Sequence, residues 1–321
     1  MPLPDLAAIE AAATVVYRAL PPTPQYAWPL LDEKLGMKAW VKHENHLPVG
    51  AFKMRGGLVY MEALQRRLPG LKGVIAATRG NHGQSIAFAA GRLGIPVTIV
   101  VPEGNSREKN AAMRALGANL IEHGQDFFEC RLHALDLAET QGLHMVPSYH
   151  ADLVAGVATG YLELLRAQPS IDVLFVPIGQ GSGICAALAA RDALGLPTRI
   201  VGVVSAHAPA YLHSYQAGRC IEAPVSTVLA DGLACRAPDP ASLEAMLGKL
   251  EAIVAVTDDE VARAMRLYFR TTHNLAEGAG AAALAAALQL RGRLPAGCAI
   301  GLPLTGANVD APLFARVLEG P

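Results

Sequence analysis

Runs of consecutive apolar, largely β-branched residues alternate along this chain with stretches in which apolar residues recur every three to four positions. The short runs fall at 38–43, 73–78, 97–102, 119–123, 173–178, 200–205, 253–257 and 299–304. Being apolar at successive positions, they predict strands buried on both faces of a sheet. The periodic stretches, such as 85–93, 107–116, 126–140, 183–194 and 258–271, predict amphipathic helices. Strands alternating with helices predict an α/β chain built on mostly parallel sheets covered on both sides. The strands come in two batches, so the pattern predicts two open, twisted sheets with a cleft between them.

Local chemistry sharpens some boundaries. Gly94-Ile95-Pro96 should close one helix, since glycine tolerates φ > 0 and proline blocks continuation. Thr257 before Asp258, Asp259 and Glu260 reads as an N-cap followed by an acidic first turn. The stretch 209–240 is less regular and should carry loops. No internal repeat or low-complexity tract interrupts the pattern.

Composition narrows the function classes. The 321 residues allow a large core, and 52% hydrophobic against 17% charged residues predicts that some surface lies in a subunit interface, most simply of a homodimer. A formal net charge of −1 with no basic block gives no broad attraction to nucleic acid or anionic membrane. The N-terminus, Met1-Pro2-Leu3-Pro4-Asp5, lacks the regions of a signal peptide, and the apolar stretch 279–288 is too short to span a bilayer. Five widely spaced cysteines without a Cys-x-x-Cys pair read as reduced thiols of a cytoplasmic protein. The ten histidines show no metal pattern; His43 and His46 read as partly exposed polar residues at a strand end.

Four motifs carry candidate chemistry. Lys53 sits in Pro48-Val49-Gly50-Ala51-Phe52-Lys53-Met54-Arg55-Gly56-Gly57, where an apolar run gives way to a helix. A lysine flanked by an aromatic and small residues is poorly suited to being a solvated charge; a desolvated amine has a depressed pKa and forms Schiff bases. Thr78-Arg79-Gly80-Asn81-His82-Gly83-Gln84 follows a strand and opens a helix, a place where free backbone N–H groups suit a carboxylate or phosphate. An ordinary turn capped by Asn81 fits as well. Gly179-Gln180-Gly181-Ser182-Gly183 also joins a strand to a helix, and its glycines let the backbone form an anion-binding nest. It is neither a Walker loop nor a convincing dinucleotide fingerprint. Thr305-Gly306-Ala307-Asn308 ends an apolar strand and by itself reads as a turn with Asn308 as N-cap.

Together the four motifs resemble the fold-type II pyridoxal-phosphate enzymes, in particular the threonine/serine dehydratase and serine racemase group, from about Leu20 to Val317. Asp152-Leu153-Val154-Ala155-Gly156 with Thr159, Ala230-Asp231-Gly232 and Glu277-Gly278-Ala279-Gly280-Ala281-Ala282 are similar to further blocks of that family. The resemblance implies the tryptophan synthase β-like fold, with 1–48 and 149–321 as a large cofactor-binding domain and 49–148 as a small domain closing over the substrate. It implies that Lys53 carries pyridoxal 5'-phosphate as an internal aldimine, that Phe52 packs against the cofactor ring, and that Asn81 bonds the ring hydroxyl. It gives the phosphate to Gly179, Gln180, Gly181, Ser182 and Gly183, the pyridine nitrogen to Thr305, and a place near the ring edge to Glu277. Thr78, Gly80, Asn81 and His82 would line the substrate carboxylate site, with Arg79 among them. The implied reaction is β-elimination from a 3-hydroxy-L-amino acid of the threonine or serine type, giving a 2-oxo acid and ammonia.

Departures from the family shape the alternatives. Arg79 stands where the group usually has a serine used as an opposite-face acid/base by the racemases; arginine stays protonated, so racemisation is disfavoured and Arg79 is left to pair with an acid of the protein or substrate. Val204 and Ala210 occupy the places of a metal-binding acidic pair and cannot ligate a cation, so no magnesium or calcium dependence is expected there. Gln180 and Ser182 replace phosphate-loop glycines, Val49 and Ala51 replace hydroxyl residues near Lys53, and Val157-Ala158 replaces a Gln-Gly. A more apolar pocket would admit 3-phenylserine, and 3-hydroxyaspartate is the other alternative substrate. The chain ends soon after the Thr305 motif, where biosynthetic threonine dehydratases carry a regulatory domain, which favours a catabolic or specialised enzyme. An amino-acid racemase, a β-replacement synthase, a non-catalytic metabolite sensor and a nucleotide-binding enzyme are the remaining readings; the intact Lys53 opposes the sensor, and the near-neutral charge and missing fingerprint oppose the last.

Overall fold

A computed structural model describes residues 2–320. The chain runs α1 (Leu6–Tyr17), β1 (Gln25–Ala27), α2 (Pro29–Leu35), β2 (Lys38–His43), α3 (Lys53–Arg67), β3 (Val74–Ala77), α4 (Asn81–Arg92), β4 (Val97–Val101), α5 (Arg107–Ala115) and β5 (Asn119–Glu122). It continues through α6 (Phe127–Gln141), β6 (His144–Met145), α7 (Ala151–Ala167), β7 (Val173–Pro177), α8 (Ser182–Ala193), β8 (Arg199–Ser205) and α9 (Ala210–Ala217). The last elements are α10 (Pro240–Met246), β9 (Ala252–Val256), α11 (Asp258–Thr272), α12 (Gly278–Leu290), β10 (Ala299–Leu304) and α13 (Ala311–Glu319).

Two sheets result, one of six strands in the order β1-β2-β10-β7-β8-β9 and one of four in the order β5-β4-β3-β6. Every pairing is parallel except β1 with β2. The reason is visible in β7. Val173 and Phe175 enter one core with α11 and α12, while Leu174 and Val176 enter another with α7 and α8. In the smaller sheet, Val74 and Ala76 face a core shared with α3 and α4, and Ile75 and Ala77 face Cys130, Ala134 and Ala138 of α6. Strands without a polar face can be satisfied only by helices on both sides.

The alanine-rich α12 is buried on all sides from Gly278 to Ala287, which is why no periodic signal marks it. Thr257 caps α11 in a full capping box with Glu260. The stretch 209–240 holds α9 and one 3₁₀ turn at Asp231–Leu233 amid loops. No helix among the described residues is long and apolar enough to cross a membrane.

A buried ionic knot ties α3 to the large sheet. The Arg55 guanidinium donates to Glu44 through Nε (2.7 Å) and a terminal nitrogen (3.0 Å) and to Glu163 through both terminal nitrogens (2.6 and 3.0 Å), and Lys42 Nζ lies 2.6 Å from Glu163 Oε2. Lys42 also donates to the Thr23 carbonyl at 2.6 Å. Two cations thus face two carboxylates inside the protein, two residues from Lys53.

Candidate active site

Two strand ends open onto one cleft, and a third ends behind the lysine segment that lines it. β3 leads into Thr78-Arg79-Gly80-Asn81-His82, β7 into Ile178-Gly179-Gln180, and β10 into Thr305. In open parallel sheets ligands bind beyond the carboxyl ends of the strands. The cleft has a cavity volume of about 100 Å³ and is partly open to solvent, and Lys53, Thr78 through His82, Gly179 and Gln180 all line it.

Lys53 is the first residue of α3, and its segment is stitched to the exit of β10. The Phe52 N–H donates to the Thr305 carbonyl (3.0 Å), Ala51 bridges Gly306, and the Ala307 N–H donates to the Gly50 carbonyl (2.9 Å). Ser85 Oγ donates to the Lys53 carbonyl at 2.6 Å. The amine lies 4.8 Å from the centroid of the Phe52 ring. Burial lowers its pKa to about 8, against a smaller upward pull from Glu277. In the ligand-free chain, reductive methylation of Lys53 by formaldehyde and cyanoborohydride should therefore rise through about pH 8. That lies well below the alkaline range of an ordinary lysine. Peptide mass spectrometry reads the profile. The sign for stability follows: the unfolded chain holds this proton to higher pH, so this group favours the fold increasingly as pH rises from about 8 toward 10.5.

The glycine loop has the geometry of an anion cradle. Gly181 caps α8 at φ 97, a left-handed conformation that penalises any other residue, and α8 has no side-chain cap. A Cβ at Gly179 would stand 2.4 Å from the Gly232 carbonyl oxygen. The first N–H groups of α8 are thus left for a ligand, at the positive end of the helix dipole. Ser182 is buried, Gly183 lies against the Phe52 ring, and Gln180 Nε2 donates toward Cys235 Sγ at 3.5 Å.

The start of α4 forms the opposite wall. Its cap is Gly80 rather than Asn81, again without a side-chain hydrogen bond, and the Gly80 N–H donates to Thr78 Oγ1 at 2.9 Å. Asn81 is thereby freed: its Nδ2 donates to Glu277 Oε1 (2.6 Å), and its Oδ1 accepts from Asn308 Nδ2 (2.8 Å). Asn308 is not a cap either. Asp310 occupies that position before α13, and Asn308 also donates to the Val49 carbonyl at 2.8 Å. Glu277 is buried, and desolvation raises its pKa even though the Lys109 ammonium stands 3.4 Å away. Lys109 Nζ makes its short contact with Asp231, at 2.6 Å. Burial pulls the Lys109 pKa down, but Glu277 and Asp231 outweigh it and hold the amine charged. Thr305 is buried behind the lysine segment, and its Oγ1 has a long 3.5 Å contact to the Ala279 carbonyl, so its hydroxyl retains capacity for a ligand.

The structure thus brings Lys53, the α4 turn and the glycine loop to one cleft, with Phe52, Glu277 and Thr305 directly behind. Lys109 and Asp231 line it too, and no role followed for them from the sequence. Their pairing spans 122 residues, so neither has a local signature. His43 departs from its expected exposure. It is fully buried, accepts from Trp28 Nε1 at 3.1 Å and stacks on His46 at 4.7 Å. Among the described residues no group of three or more His, Cys, Asp or Glu side chains is placed to hold a metal ion. An activated amine, a helix-end anion cradle, a free hydroxyl and an oriented amide together suit a ligand that carries an aldehyde and a phosphate.

Comparison with known proteins agrees. L-threonine ammonia-lyase of Geobacter sulfurreducens is 37% identical over 290 residues, covering 90% of this chain and 71% of that protein. L-threo-3-hydroxyaspartate ammonia-lyase of Saccharomyces cerevisiae is 30% identical over 299 residues, covering 93% of this chain and 91% of that protein. The processed form of threonine deaminase isoform 2 from Solanum lycopersicum superimposes with a TM-score of 0.90 at 28% identity, covering 99% of this chain and 94% of that one. Residues 16–306 match the family described as "Pyridoxal-phosphate dependent enzyme". A lysine amine of lowered pKa beside a helix-end phosphate cradle is what such a cofactor requires, and this chain belongs to the pyridoxal-phosphate dependent enzymes, among the relatives of the threonine and hydroxyaspartate ammonia-lyases.

Proposed function

We propose that this chain eliminates the β-hydroxyl of a 3-hydroxy-L-amino acid as water, and that a water then hydrolyses the resulting imine, so that the net products are the 2-oxo acid and ammonia. The observation that carries the reading is the Lys53 amine, lowered to about pKa 8 and placed in the same cleft as the uncapped start of α4 and the glycine loop before α8. The residues present fit pyridoxal phosphate. Lys53 Nζ would hold its aldehyde carbon, Gly179 through Gly183 its phosphate, Asn81 its ring hydroxyl and Thr305 its pyridine nitrogen, with Phe52 and Glu277 beside the ring. When bound, the cofactor supplies the electron sink for carbanion chemistry at the substrate's α-carbon.

The protein's part is orientation and proton transfer. The N–H groups at the start of α4, with Thr78, Gly80, Asn81 and His82, bind the substrate carboxylate. Lys53 Nζ, its pKa lowered by burial to about 8, takes the α-proton as general base. The Glu277–Asn81–Asn308 chain fixes the Asn81 amide so that it cannot rotate away from its ligand. Segment 49–148, which carries Arg79, is the small domain that closes over the substrate and excludes water. The enzyme works in the cytoplasm as a homo-oligomer, most simply a dimer. Phe128, Leu132 and Leu135, exposed along one face of α6, support a subunit contact.

Thr305 offers one check. A hydroxyl can share a hydrogen bond with a ring nitrogen but carries no charge to keep it protonated. Thr305→Asp should lower elimination by roughly 10-fold or more while cofactor absorbance is retained, since a carboxylate would change the protonation state on which the reaction depends. Unchanged turnover would remove that role. The reading as a whole is tested by a panel of threonine, serine, 3-hydroxyaspartate and 3-phenylserine, with 2-oxo acid and ammonia measured together. Equimolar release of both from at least one of them is expected; racemisation without ammonia would overturn it.

A further inference from the structure

We propose that Arg79 selects a substrate whose side chain carries a second anionic group, so that the preferred 3-hydroxy amino acid is of the 3-hydroxyaspartate type rather than threonine, serine or 3-phenylserine. This rests on the elimination reading above and assigns the substrate class of the same cleft.

Three observations carry it. First, Arg79 lines the cleft, is half-buried, and makes no hydrogen bond or ion pair with any described residue. The other cations near the site are compensated: Arg55 lies between Glu44 and Glu163, and Lys109 is bound to Asp231. A guanidinium drawn partly out of water without a counter-ion is unfavourable, and a ligand carboxylate restores the balance. The planar fork of arginine matches a carboxylate in two parallel hydrogen bonds. Second, the substrate's α-carboxylate already has a place at the uncapped start of α4. Arg79, immediately before that turn, is left over for another anion. Third, His82 Nε2, a donor for that α-carboxylate, is buried without a protein partner and lines the same cleft, so the α-carboxylate does not need Arg79. Burial and the nearby Lys53 lower its pKa to about 3, so the ring is a neutral group able to donate one hydrogen bond. The one acid lining the cleft, Asp231, is held by Lys109 and does not oppose a ligand anion at Arg79. The reaction is unchanged in kind: the α C–H and β C–O bonds break, water is lost and regained, and the dicarboxylate leaves as the 2-oxo dicarboxylate plus ammonium.

The test uses two pairs that differ only by carboxylate for methyl. The reacting pair is 3-hydroxyaspartate and threonine; the pair without a β-hydroxyl, which cannot eliminate, is L-aspartate and L-2-aminobutyrate. For the holoenzyme, kcat/KM should favour 3-hydroxyaspartate over threonine by roughly 100-fold or more, as a charged group matched to a charged ligand discriminates strongly. Arg79→Ser should collapse that ratio by a similar factor, and Arg79→Lys should keep part of it. Calorimetric binding to the holoenzyme should show the same pattern, with L-aspartate losing its advantage over L-2-aminobutyrate in Arg79→Ser. Equal weakening of both members of each pair would mean that Arg79 holds the α-carboxylate, and would overturn the assignment. So would a wild-type preference for threonine or 3-phenylserine, which leaves the elimination reading standing. If no hydroxy amino acid turns over, that reading fails. The binding arm still decides Arg79: selective loss of L-aspartate supports it, and equal loss of both ligands overturns it.

Discussion

Lys53→Ala is expected to abolish turnover, lowering kcat by at least about 10³-fold, because one amine serves as both covalent anchor and general base. Each role by itself accounts for orders of magnitude, and nothing near the amine can substitute. His82, in the same cleft, has its pKa lowered to about 3 and is a poor base; the Lys109 amine is held protonated between Glu277 and Asp231. The fold should survive the change. The charged form of the Lys53 amine is disfavoured by burial, so its removal relieves a penalty instead of creating one. Thermal unfolding of the ligand-free variant should match or exceed that of the ligand-free parent. Residual activity within 10-fold of the parent would show that another group performs the proton transfer.

The second large effect concerns stability. Arg55→Met should destabilise the protein by about 3–5 kcal/mol, because it leaves Glu44 and Glu163 buried with Lys42 as their remaining cation. Denaturant unfolding of the ligand-free chain measures it, read from the midpoint at constant slope. Glu44→Gln in the Arg55→Met background should recover part of the loss, since it removes the stranded charge. A loss below about 1 kcal/mol would mean that water reaches the cluster and screens it. The cluster also bears on activity. Arg55 lies in the first turn of the helix that begins at Lys53, and it anchors that helix to Glu44 after β2 and to Glu163 on α7. Displacement of the amine by even 1 Å is enough to slow a positioned proton transfer.

These two lysine and arginine sites show where sequence reading succeeds and where it stops. β7 and β10 were legible almost to the residue because both of their faces are buried, which leaves a continuous apolar run. β1 and β6, of three and two residues, exist through pairing with a neighbour and leave no pattern of their own. α4 starts four residues before the periodic stretch at 85–93, since its first turn is glycine and polar residues kept for a ligand rather than a conventional cap. Lys53, the α4 turn, the glycine loop and Thr305 were readable because each is a short segment whose chemistry is local. The contacts that orient them were not: Asn81 meets Glu277 across 196 residues, and Lys109 meets Asp231 across 122. Asn308 looked like an ordinary cap, and only the approach of Val49 and Asn81 shows that it ties the two walls of the cleft together.

The most direct test of the central claim is to reduce the cofactor-loaded protein with borohydride, digest it and map the adduct by mass spectrometry. A single pyridoxyl phosphate group on the peptide that contains Lys53 is the expected result. An adduct on another lysine, or no covalent adduct in a protein that still releases ammonia from its substrate, would contradict it.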